Sequence, residues 1–120
     1  MKQEPSPQEL AQLDYELALN AVAGVSKKQG YEIAGGEKNK DASYSLVLQN
    51  ADGYTAVKIT TIRAPEQPAY TPTEVDDLRR FAARNGIPRC AMAPVGLWPA
   101  ELDEDGRQGF YVNYKGLVQV

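Results

Sequence analysis

Lys58 is the one charged side chain in a run of extended character, Ala56 to Ile62 in AVKITTIRAP, which breaks at Pro65. Such a lysine can stabilise a developing anion if carboxylates stand beside it to hold a cation or activate water. Histidine is absent, which removes histidine-based triads and histidine metal ligands. The single cysteine, Cys90, excludes an internal disulfide and any multi-cysteine metal cluster. It lies in an apolar run, where a buried, inert thiol is expected. Any catalysis must therefore use carboxylates, lysine, tyrosine or hydroxyls.

The elements that would position these groups follow from the hydrophobic pattern. Ser6-Pro7-Gln8-Glu9 has the form of a helix start, with a serine cap, proline in the first turn and glutamate three residues on. Leu10, Leu13, Leu17, Ala21 and Val25 recur at steps of three and four and predict a helix over 7–28 with that stripe as its core face. Tyr31 to Ile33 reads as a short strand, and Gly35-Gly36 as a turn. Residues 43–49 and 54–62, joined through Asn50-Ala51-Asp52-Gly53, predict an antiparallel hairpin. APEQPAY, residues 64–70, is an extended connector because of its two prolines.

Thr71-Pro72-Thr73-Glu74 opens a second helix over 72–85, cored by Val75, Leu78, Phe81 and Ala82 and closed by Gly86. Residues 89–98 form an apolar strand, buried on both faces if parallel to a neighbour, with Pro94 and Gly96 weakening its second half. Residues 99–109 read as an exposed acidic loop, 110–114 as a last strand, and 115–120 as an extension or a hook back. The chain is expected to be one domain over 1–120 with a flexible start at 1–5. Its class is α/β (α+β): a mixed sheet of four or five strands and two main helices, in the order α-β-β-β-α-β-β.

This order resembles the core of the restriction-endonuclease-like superfamily over about residues 10–98, from the first helix through GYEI, KDASYSLVLQ and AVKITTI to TEVDDLRRFAARNGIPR and the apolar strand. The resemblance implies an aspartate on the second strand and an acidic residue with a lysine on alternate positions of the third, together holding a divalent metal such as magnesium beside a phosphodiester. Asp41 and Lys58 stand about where that motif places them. The alternate position on the lysine's face is Thr60, so the second carboxylate is missing unless Glu16 or Glu32 supplies it. With that pair incomplete, Lys58 reads as a solvated lysine on the open face of a hairpin, and no cofactor is expected.

The leading expectation is a non-enzymatic, cytoplasmic module that binds a macromolecule, with a protein favoured as partner. A net charge of −3 argues against a general nucleic-acid binder. Arg79, Arg80, Arg84 and Arg89 can form a phosphate-binding patch, although Asp76 and Asp77 before them favour a mixed-charge solvent face. Trp98 and Tyr70 are candidate interface anchors. Two alternatives stand beside this: a divergent nuclease built on Asp41, Lys58, Glu16 and Glu32 with magnesium, and a small acidic chaperone or inhibitor resembling type III secretion chaperones.

Overall fold

A computed structural model describes residues 6–102, 104, 106 and 108–120; the expected flexible start, 1–5, lies outside the described residues. Helix α1 spans Pro7–Lys28, followed by strands β1 (Glu32–Gly36), β2 (Leu46–Asn50) and β3 (Gly53–Arg63). Helix α2 spans Pro72–Arg84, and β4 (Arg89–Leu102), β5 (Gln108–Tyr114) and the two-residue β6 (Val118–Gln119) complete the chain. The expected order is observed, with β6 added at the end. The fold is a mixed α+β domain.

The strands lie in the order β1-β2-β3-β4-β5, with β6 also paired to β4. β1, β2 and β3 are antiparallel neighbours, and the β2–β3 hairpin closes at Asn50 opposite Gly53. β4 returns parallel to β3, from Thr55 opposite Arg89 to Arg63 opposite Leu97, as the intervening helix requires. β5 and β6 share the far side of β4: β5 pairs with its second half and β6 with Ala91 and Met92.

Three expectations change. Gly35 and Gly36 lie within β1 rather than in a turn. β4 runs on through Pro94 and Gly96 to Leu102, so much of the expected acidic loop, 99–109, is strand. Pro94 falls opposite the interruption between β5 and β6, where a residue without an N–H is tolerated. Gly96 is required by close approach, since a Cβ there would stand 3.1 Å from Pro68 Cγ, where the 64–70 connector crosses the sheet.

The third change concerns α1. The residues it buries are Tyr15, Ala18, Val22 and Ser26, whereas Leu10, Leu13, Leu17 and Val25, the expected core stripe, face outward. Both sets recur at helical spacing, so periodicity could not choose between them. Beyond Tyr15, the inner face is made of the smaller Ala18, Val22 and Ser26, which let the helix sit close to the sheet. Polar bonds then set its rotation: Arg63 donates two hydrogen bonds of 2.9 Å to Asp14, and the Tyr15 hydroxyl donates to Glu37 O at 2.6 Å.

The two helices cover opposite faces. α1 closes a core with Leu46, Leu48, Val57, Ile59, Ala91 and Ala93. α2 closes a smaller core on Ala56 and Met92, with Tyr44 stacked on Phe81 at its edge, centroids 4.0 Å apart. Strand alternation sends successive residues of β3 and β4 to these two cores. The 0 % exposure of Ala91, Met92, Ala93 and Val95 matches the predicted two-sided burial of β4 beside a parallel neighbour. Cys90 is half-buried at the rim of the second core, and burial pushes its thiol up.

Tyr114 packs against the α1 core, and burial, reinforced by Tyr31, pushes its hydroxyl up to about 12. A raised folded-state value contributes stability that is fully present below the ordinary tyrosine value of 10.0 and is lost as the pH rises through about 12. Spectrophotometric titration should show one tyrosinate appearing near pH 12, a step that Tyr114→Phe removes; titration of every tyrosine near 10 would contradict the packing described.

Candidate functional site

Lys58 is 7 % exposed, which overturns the expectation of a solvated residue on an open hairpin face. It points to the α2 side of β3, where the start of α2 and the loop between β1 and β2 fold over it. Its ammonium donates to Lys40 O at 2.8 Å and to Ala42 O, so the charge is spent on two backbone carbonyls of that loop. The Tyr15 ring lies 5.9 Å from the amine, a further favourable contact for a cation.

The loop is fastened from α1 as well. The Gln12 side chain donates to Lys38 O and accepts from Lys40 N, and Glu37 O accepts from Tyr15. Glu37 N donates to Ser45 O, while the buried Ser45 hydroxyl accepts from Ile59 N at 2.9 Å. Four carbonyl tethers, on Glu37, Lys38, Lys40 and Ala42, explain how a segment rich in Glu, Lys and Asn holds one shape ahead of its apolar anchor Tyr44.

Around Lys58 the loop, β3 and α2 form a cleft lined by Lys40, Asp41, Ala42, Glu74 and Asp77, which continues past Tyr15, Thr60 and Ala69. Burial drives the Lys58 pKa down; the opposing fields of Glu74, Asp41 and Asp77 pull it up, and Lys40 adds to the lowering. Because the folded protein holds this proton less tightly than the unfolded chain, the folded state gains stability as the pH rises toward the ordinary value of 10.5.

The four residues nominated for a metal site do not come together as a set. Asp41 does reach the Lys58 cleft, but its side chain is 74 % exposed and pairs with Lys40 at 2.8 Å. Glu16 is exposed on α1 and accepts a long 3.4 Å bond from Gln12. Glu32 sits on edge strand β1 opposite Gln49 and borders a different hollow, with Gly30, Asn50 and Ala51. On the Lys58 face its strand neighbours are Ala56 and Thr60, and the Thr60 hydroxyl donates to Ala69 O at 2.8 Å. Among the described residues, no group of three or more acidic, histidine or cysteine side chains is placed to hold a metal ion.

Glu74 was visible in the sequence only as helix punctuation. Its carboxylate accepts from Thr71 N and Thr71 Oγ at 3.0 Å each, closing the capping box, and it also borders the cleft. Nothing in the sequence placed it beside Lys58, since that contact depends on how α2 lands on the sheet.

The binding candidates separate too. Arg79, Arg80 and Arg84 are exposed on α2, with Arg80 3.9 Å from Asp77. Arg89 lies 3.9 Å from Asp52 at the hairpin turn. Tyr70 is half-buried at the α2 core and contributes to packing there. Trp98 is 48 % exposed and stands opposite Tyr111, itself 68 % exposed, across the β4–β5 ladder. Beside them along the same face lies a groove of about 200 Å³ lined by Gln67, Pro68, Pro94, Asn113, Lys115 and Val118. A scan against protein-family models finds no match, and a search of curated proteins finds no relative.

Lys58→Met keeps much of the volume but leaves Lys40 O and Ala42 O without their donor. Loss of a partner to a buried polar group costs about 1–3 kcal/mol, so urea denaturation should show a decrease of that size. Amide exchange should quicken chiefly across residues 37–43. Unchanged stability and unchanged exchange there would mean that Lys58 does not hold the loop.

Proposed function

We propose that this chain is a non-enzymatic binding module acting in the cytoplasm on a protein partner, with the open half of the sheet around Trp98 and Tyr111 as its contact face. The observation that carries this reading is the pair itself: two large aromatic residues side by side on a face that α2 leaves uncovered, next to a groove. Aromatic side chains with a polar handle dominate the energetics of protein interfaces, because they bury much apolar area while keeping one hydrogen-bonding group. The cleft supports the same reading, since an amine bonded to two carbonyls is poorly placed to polarise a phosphate, and Ala56 and Thr60 beside it are not acidic. On this proposal the endonuclease-like order of elements is a scaffold that works without a metal site. A chaperone or inhibitor role is this same reading with the partner's fate specified.

Capture from lysate with the wild type and with a Trp98→Ala/Tyr111→Ala variant as parallel baits, followed by titration of the purified partner, tests it. The double variant should bind roughly tenfold or more weakly, as expected for loss of central aromatic anchors. Equal affinity of the two proteins sinks the assignment of this face.

The placement of Asp41, Glu74 and Lys58 around one cleft favours a second reading, a divergent metal-dependent nuclease in which Asp41 and Glu74 share a magnesium ion. Cleavage of plasmid DNA or RNA by the purified chain with magnesium or manganese, abolished by Asp41→Ala, would establish that reading and displace the first.

A further inference from the structure

Among the described residues, nothing covers the outward face of α1 at its leucines. Leu10, Leu13 and Leu17 are 37 %, 55 % and 37 % exposed. At about 100° per residue, Leu13 and Leu17 lie roughly 160° and 200° around the helix from the buried Tyr15, so α1 carries a second apolar stripe on its far side. Toward the C-terminal end the stripe continues in small residues, Ala21 and Gly24, and a Cβ added at Gly24 would meet nothing within 4 Å. The three leucines therefore concentrate bulk in the first half of this face, while in the second half only Val25, 37 % exposed at its flank, stands beside the small residues.

Charge is divided in the same way. Glu9 lies in the first turn, and Lys27 and Lys28 in the last. Glu9 and Lys27 are five helical turns apart and so flank the stripe on the same side. When two identical helices pack antiparallel about a two-fold axis, flanks of the same kind meet. Glu9 of each copy then faces Lys27 of the other, the leucines of each half face the small residues of the opposite half, and the helix dipoles oppose favourably.

We infer that α1 is a homodimerisation surface on which two copies of this chain pack their leucine stripes antiparallel, about a two-fold axis near the middle of the helix. The occupant is a second copy because size and charge are each complementary between the two ends of one helix, and antiparallel self-pairing brings both complements into register. The surface is separate from the Lys58 cleft and from the Trp98–Tyr111 face, so it stands whatever the outcome for those sites.

Light scattering coupled to size-exclusion chromatography on the full chain, over a series of loading concentrations, tests the inference. The wild type should approach twice its 13.1 kDa monomer mass as concentration rises. Leu13→Glu should remain monomeric with unchanged circular dichroism, because Leu13 lies outside both cores, and its melting temperature should not depend on concentration, whereas that of the wild type rises with it. Glu9→Lys and Lys27→Glu place like charges opposite each other, and each should weaken the dimer roughly tenfold, while the double variant recovers wild-type affinity. A wild type that is monomeric at every concentration overturns the inference, including one whose leucine stripe proves to hold a different macromolecule. Charge variants that dimerise as well as the wild type overturn the antiparallel arrangement, since parallel packing leaves all of them alike.

Discussion

The pairing of the Lys58 ammonium with the carbonyls of Lys40 and Ala42 is the constraint around which the rest of this structure is arranged. A lysine amine taken from water into the space between a sheet and two helices is costly unless its hydrogens find acceptors. Here backbone oxygens supply them. To do so, the β1–β2 loop must fold back over β3, and that position brings its other polar groups within reach of Gln12 and Tyr15 on α1. The same contacts fix which face of α1 turns inward. One buried charge thus couples the loop, the central strand and the rotational setting of a helix.

That coupling accounts for the different characters of the surfaces. The Lys58 cleft is polar and internally satisfied: its lysine is bound, Glu74 caps α2, and Asp41 pairs with Lys40. The α1 stripe and the Trp98–Tyr111 face are apolar, and the described residues leave them exposed. An apolar surface exposed to water gains free energy when another molecule covers it, whereas a satisfied polar cleft gains little. This contrast is what supports the proposed reading of a binding module rather than of chemistry at Lys58.

Much of the architecture was legible in residue order. Both capping sequences, Ser6-Pro7 and Thr71-Pro72, mark observed helix starts, because capping depends on residues three apart: Ser6 accepts from Glu9 N, and at Thr71 the full capping box with Glu74 closes. The hairpin turn at Ala51-Asp52 and the two-sided burial of β4 were legible for a similar reason: turn chemistry and uninterrupted hydrophobicity are local signals. β4 proved longer than expected because Pro94 and Gly96 are tolerated by tertiary neighbours, namely the break between β5 and β6 and the passage of Pro68.

By itself the sequence determined the element order, the helix boundaries and the absence of histidine and multi-cysteine chemistry. Only the tertiary structure decided which of two apolar stripes on α1 is core, that Lys58 is buried and bound, and that Glu74 rather than Glu16 or Glu32 stands beside it. The reason is one of range. Caps, turns and strand alternation are settled by neighbours a few residues apart, whereas Lys58 meets Lys40, and Asp14 meets Arg63, across long stretches of chain. Such contacts leave no periodic trace, and a helix apolar on two sides needs its neighbours to say which side faces in.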